Sequence, residues 1–107
     1  MFRTFKPLNF AELRIANVER QALYTGCEDW NTSDWYLSLV GETGELGNLL
    51  KKIRRGDDID IKEVGKEIAD IVTYADILAT HLGLDLGECV REKFNEVSDR
   101  KKIEIKL

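Results

Sequence analysis

The stretch DWYLSLVGETGELGNLLKKIRR, residues 34–55, decides how the rest of the chain reads. Leu39, Val40, Leu46, Leu49, Leu50 and Ile53 recur at the three-and-four spacing of one helical face. Against a helix stand Gly41, Gly44 and Gly47, since a glycine in a helix interior costs about 0.8–1.0 kcal/mol relative to alanine. The apolar period nevertheless runs straight through them. On a helix, glycines every three residues form a slanting stripe without side chains. Such a stripe lets another backbone, a cation or a bulky ligand come close. Helix stability given up for access around Glu42 and Glu45 explains the defect.

Outward from this helix the chain reads as helical throughout, over about 10–24, 34–55, 61–82 and 86–101. Asn9, Asp60 and Asp85 are each followed three residues later by Glu12, Glu63 and Glu88, the pattern of a capping box. Thr32 or Ser33 can cap the second start. Gly56 and Gly83 follow the last periodic residues of two helices, where a left-handed cap wants glycine. Ile68, Ile71, Val72, Ala75, Leu78, Ala79 and Leu82 give the third helix its apolar face. Connections are short, so neighbours pack antiparallel. The prediction is one all-α domain over 1–107, a four-helix bundle. In the tail KIEIKL the alternation of Ile103, Ile105 and Leu107 fits a short strand or a terminal arm.

Composition narrows the function classes. A length of 107 residues suits one domain. Asp and Glu number 20 against 16 Lys and Arg, for a net charge of −4, which gives no electrostatic case for a polymeric nucleic-acid partner. MFRTFKPLNF lacks the apolar run of a signal peptide, and no stretch approaches membrane-spanning length. Cys27 and Cys89 have no metal or redox spacing and read as inert thiols. A cytoplasmic protein is expected, with no membrane partner.

The chemistry lies in two acidic pairs. Glu42 and Glu45 stand three residues apart on the second helix, and Glu67 and Asp70 repeat that spacing on the third, so each pair projects from one face. Alone, either pair is what a solvated helix face ordinarily carries. Together they differ: the first is flanked by glycines, and the second is set among Ile68, Ala69, Ile71 and Val72. Antiparallel packing brings the pairs together, and four converging carboxylates repel unless a cation joins them. Carboxylate oxygens suit Mg²⁺ or Mn²⁺. A di-iron site needs Glu-x-x-His motifs, but Leu78 stands three before His81, the one histidine. Zinc lacks His and Cys ligands. His81 reads as an ordinary last-turn residue, and no Walker-type phosphate loop is present.

Glu42-x-x-Glu45, 21 further residues, then Glu67-x-x-Asp70 resembles the motif of the all-α MazG-type nucleoside triphosphate pyrophosphohydrolases. LVGETGELGNLLKKIRRG resembles their motif helix, and EIADIVTYADILATHLGLDLGECVREKFNEVSDR their third and fourth helices, so the likeness covers about residues 30–107. It implies Mg²⁺-dependent hydrolysis of a nucleoside triphosphate, commonly a deoxynucleotide, to the monophosphate and pyrophosphate. Glu42, Glu45, Glu67 and Asp70 would be the metal ligands, Mn²⁺ could replace Mg²⁺, and a water at the metal would be the nucleophile. The likeness also implies a homodimer or homotetramer with the site near a subunit interface. Some members carry another glutamate just before the first motif glutamate; here Gly41 holds that position, and the general base is left open.

Lys93, Asn95 and Arg100 correspond to a segment that contacts phosphate or nucleotide in relatives, and their chemistry suits that task. Asn48 and Lys52 lie three and seven residues beyond Glu45 on the same side of the helix and could reach a triphosphate. Lys51, Lys52, Arg54 and Arg55 also complement the helix dipole. Trp30 and Trp35 are candidates for stacking on a base, or for the core or an interface. Two other readings stand beside the hydrolase: a non-catalytic helical module that binds nucleotide or a partner, and a related pyrophosphohydrolase acting on phosphoribosyl-ATP. The GETGELGNLLKK and KFNEVSDR segments favour the MazG type over the latter.

Overall fold

The computed structural model describes residues 6–107. It consists of four helices, α1 (Phe10–Gln21), α2 (Thr32–Arg54), α3 (Ile61–His81) and α4 (Leu86–Arg100). No strand occurs among the described residues, so the tail is an arm.

Three of the four helix starts are capped by the expected residue. Asn9 Oδ1 accepts from the Glu12 N–H at 2.8 Å, and Asp85 Oδ1 from the Glu88 N–H at 2.9 Å. Asp60 Oδ1 accepts from Lys62 N–H instead of Glu63 N–H. The glutamates do not reach back to complete a box. Glu12, Glu63 and Glu88 pair instead with Lys6, Lys66 and Arg91, because a long acidic side chain with a cation nearby has a second partner to choose. The second start is capped by Asn31 rather than Thr32 or Ser33. Asn31 Oδ1 accepts from the Asp34 N–H at 3.1 Å, and Asp34 Oδ2 accepts from the Asn31 N–H at 2.8 Å. That exchange satisfies two orphan donors at once, and it starts α2 two residues before the expected position.

The first helix ends at Gln21, not 24. The amides of Leu23 and Tyr24 bond three residues back to Arg20 and Gln21, tightening the chain into a turn on the way to Gly26 at φ +85°. Gly56 and Gly83 do take left-handed conformations, φ +96° and +71°.

α2 and α3 form a hairpin, and α2 packs against α3 and no other helix. α1 lies on the far half of α3, held by a polar link. The Asp76 carboxylate, 1% exposed, accepts from Arg14 Nε at 3.2 Å and Asn17 Nδ2 at 3.0 Å. Asn17 Nδ2 also bonds the Thr73 carbonyl, and an Arg14 guanidinium nitrogen bonds the Leu84 carbonyl at 2.6 Å. α4 touches α1 and α3 only lightly. Its start approaches Phe10 so closely that a Cβ on Gly87 would sit 3.2 Å from the Phe10 Cβ.

The core is small for a chain of this length. Trp35, Val64, Ile77 and Ala79 are its buried apolar residues, and Trp35 stacks on His81 with ring centroids 5.3 Å apart. The radius of gyration is 16.7 Å, against about 13 Å for a compact domain of this length. Val40, Leu50, Ile53, Ile68, Val72 and Leu82, expected on core faces, are exposed in the single chain. The reason is geometric: a helix patterned for two neighbours is half covered when it has one.

Candidate metal centre

The hairpin places the two acidic motifs side by side near the middle of each helix. Glu42 from α2 meets Glu67 and Asp70 from α3, and one carboxylate oxygen of each lies within 4.8 Å of the others. Glu45, one turn beyond Glu42, is exposed and outside that tightest trio, yet its charge acts on both Glu42 and Glu67. Three of the four expected ligands therefore converge, with the fourth beside them.

Electrostatics mark the same spot. Desolvation, then the Glu67 carboxyl, then the charges of Glu45 and Asp70 push Glu42 up to about 7. Desolvation also raises Glu67; the Glu42 carboxyl opposes that rise, and Glu45 and Asp70 add to it. Glu42 Oε2 and Glu67 Oε2 are shielded from water and have no hydrogen-bond partner. A buried carboxylate oxygen without a donor is costly, and no lysine or arginine ion-pairs with these acids among the described residues. A hard divalent cation supplies the charge this oxygen-only set lacks, so the residues fit such an ion.

The glycine stripe lies alongside, and it is open. A Cβ added at Gly41, Gly44 or Gly47 meets nothing within 4 Å among the described residues, so none of them uses the space. Tyr74, one turn after Asp70, is a neighbour that the sequence reading passed over. Burial raises its phenol, and the Glu42 and Asp70 carboxylates add to the shift. Its position four residues beyond Asp70 was the available signal.

The other candidate residues spread more widely. Asn48 and Lys52 are exposed on α2, one and two turns past Glu45. Trp35 is 1% exposed, enclosed by Trp30, Tyr74 and His81, so it is a core residue with no ring face open to a base. His81 is more than a last-turn residue: it caps Trp35 and meets Gln21 Nε2 at 2.9 Å. Lys93, Asn95 and Arg100 belong to α4, which does not pack on α2. Lys93 pairs with Glu96 at 3.2 Å. Both ends of the Asn95 amide are engaged by the arm, Nδ2 donating to the Leu107 carbonyl and Oδ1 accepting from the Leu107 N–H.

No family profile matches the chain. Over 89 residues it is 30% identical to the Gene 37 protein of Mycobacterium phage L5, an alignment that covers 75% of this chain and 78% of the phage protein. The chain belongs to the Gene 37 protein family. That name states no chemistry, so the acid cluster itself must carry the functional argument. Cys27 and Cys89 are free thiols. No helix of the described residues is long and apolar enough to cross a membrane.

Proposed function

We propose that this protein hydrolyses nucleoside triphosphates, deoxynucleotides foremost, to the monophosphate and pyrophosphate with Mg²⁺ as cofactor, Mn²⁺ being able to replace it. The observation that carries the reading is the convergence of Glu42, Glu67 and Asp70, with unpartnered shielded oxygens on Glu42 and Glu67. The MazG-type spacing of the two acidic motifs supports it.

Glu42, Glu45, Glu67 and Asp70 would hold the cation. When bound, it would screen phosphate charge and make a water more acidic. The carboxylates would hold the ion between the two helices, and Glu45, at the exposed edge, would orient the attacking water. Water adds across the α–β phosphoanhydride; the monophosphate keeps the new P–O bond, pyrophosphate leaves, and the proton passes to a nearby carboxylate and then to solvent. Asn48 and Lys52, exposed on the same face of α2, would reach the phosphates, where a lysine would favour the leaving pyrophosphate. Lys93 and Arg100 would add phosphate contacts within a homodimer or homotetramer, whereas Asn95, its amide engaged by Leu107, would reach a nucleotide only on release of the arm.

Product analysis on a panel of NTPs and dNTPs, with Mg²⁺ and with EDTA, tests the reading. Metal-dependent release of pyrophosphate and a monophosphate is expected, and the panel reports base and sugar preference. Folded protein that gives no product, even with Mn²⁺, makes the cluster a binding site and the protein a helical interaction module.

A further inference from the structure

The first helix carries a cation toward the acid cluster that the proposed chemistry has not used. α1 lies on the half of α3 that begins just beyond Asp70, and one buried residue fixes it there. Asn17, 3% exposed, donates through Nδ2 to the Thr73 carbonyl at 3.2 Å and to Asp76 Oδ2 at 3.0 Å. Arg20 stands three residues beyond Asn17, on the same flank of α1. Tyr74 directly follows Thr73, one turn after Asp70. Burial raises the Tyr74 phenol, the charges of Glu42, Tyr24 and Asp70 add to the rise, and the Arg20 guanidinium opposes it. Cation and acids thus act on one hydroxyl, from α1 and from the hairpin.

Arg20 is exposed, and no carboxylate pairs with it among the described residues. Arg14, the other arginine of α1, is committed to Asp76 and the Leu84 carbonyl. An arginine that balanced the cluster directly would pair with one of its acids. Arg20 does not, so its charge is left for another anion. A bound nucleotide supplies one: divalent cations at best offset the four acids, while a triphosphate brings several negative charges of its own. Lys52 lies two turns along α2 from Glu45, and Lys93 and Arg100 belong to α4, which does not pack on α2. The planar fork of an arginine also takes two phosphate oxygens at once, where a lysine offers a point charge.

We propose that Arg20 grips the phosphate chain of the nucleotide and makes α1 part of the substrate site. The assignment rests on the hydrolase reading and gives it a binding residue outside both acidic motifs. Arg20 neutralises phosphate charge without being a ligand of the cation. Its loss therefore weakens the hold on nucleotide and leaves the four acids able to take the metal.

Titration calorimetry on the full chain tests it, with Mg²⁺ and the α,β-imido analogues of the four common dNTPs, which resist cleavage. Arg20→Ala, Arg20→Lys and Arg55→Ala are compared with the parent. Arg55 caps the far end of α2 and pairs with Asp57, so its variant removes the same charge away from the cluster. Arg20→Ala should weaken the analogue that the parent binds by on the order of ten-fold or more. Arg20→Lys should restore part of that loss, and Arg55→Ala should bind as the parent does. The rise in Tm with Mg²⁺, the circular dichroism and the mass by light scattering should be the same in Arg20→Ala and the parent. Unchanged analogue affinity in Arg20→Ala overturns the assignment and leaves the hydrolase reading standing. An equal loss in Arg55→Ala makes the effect one of net charge, and a fall in mass or helix content in Arg20→Ala makes the role structural; either overturns it too. A folded parent that binds none of the analogues overturns the hydrolase reading and this assignment together.

Discussion

Replacing Gly44 with alanine separates helix stability from access to the acids. Gly44 stands between Glu42 and Glu45 in the stripe, and a Cβ there meets nothing within 4 Å in the chain. The substitution therefore carries no steric penalty within one copy and should recover the helix propensity that glycine forgoes, about 0.8–1.0 kcal/mol. Urea unfolding at low protein concentration in EDTA, where assembly and metal contribute least, should show that gain with an unchanged m-value. For a domain of this length, 1 kcal/mol corresponds to roughly 4 °C or more in Tm. On the access reading, turnover with Mg²⁺ and dNTP should fall, because the added methyl would stand in the open space beside the acids. Alanine at Gly41 and Gly47 should behave likewise. Unchanged turnover in the more stable variant would sink the access argument. Lower stability at low concentration would refute it differently, by showing that the space is already filled.

The other expectations are shorter. Glu45→Gln and Asp70→Asn should abolish metal-dependent turnover while circular dichroism stays helical, and turnover retained in either would remove that residue from the ligand set. Mg²⁺ titrated against thermal unfolding should raise the parent's Tm by mass action and leave Asp70→Asn nearly unmoved; equal shifts in both would point to weak, unspecific screening. Since Glu42 is raised to about 7 and Glu67 is raised as well, their contribution to metal-free stability is greatest below the ordinary glutamate range. It is lost as pH rises from about 4.5 through 7. Melting in EDTA from pH 5 to 8 should therefore show a decline that Glu42→Gln flattens; an equal slope in that variant would place its cause elsewhere. Asp76→Ala should cost about 3 kcal/mol, since it leaves Arg14 and Asn17 without their buried acceptor, and a loss below about 0.5 kcal/mol by urea unfolding would make the α1–α3 link incidental. Asn95→Ala should release the arm and speed tryptic cleavage after Lys101 and Lys102, whereas an unchanged rate would mean that the Ile103 N–H bond to the Ser98 carbonyl and the Lys106–Asp99 ion pair hold it unaided.

Much of the architecture was legible because helix signals are local. Apolar period and short polar caps fixed four helices to within about three residues at their ends. Asn31 was passed over because two hydroxyl residues followed it, although the Asn-x-x-Asp spacing to Asp34 was there to be read. The acid cluster was legible from two i, i+3 pairs and a short connection. What sequence spacing could not supply was the division of neighbours among helices. Asp76 sits in an otherwise apolar run, and nothing local says that Arg14 and Asn17, some sixty positions earlier, will meet it. Trp35 read as a core or interface residue ahead of a base-stacking one, and His81 and Tyr74 placed on it decide for the core. Asn95 has the chemistry to read a nucleotide, but its engagement by Leu107 depends on a reversal at Lys102, φ +57°, that carries no glycine to announce it.

The hairpin has a consequence for the order in which the protein is made. All four acids lie between residues 42 and 70, on two helices that are consecutive in the chain and need only one short connection to meet. Contacts of such low sequence separation form quickly. The carboxylates can therefore gather on a nascent chain before α4 and the arm have been synthesised. Their mutual repulsion is then present from the first moments of folding, and the proton that Glu42, raised to about 7, retains near neutral pH eases it.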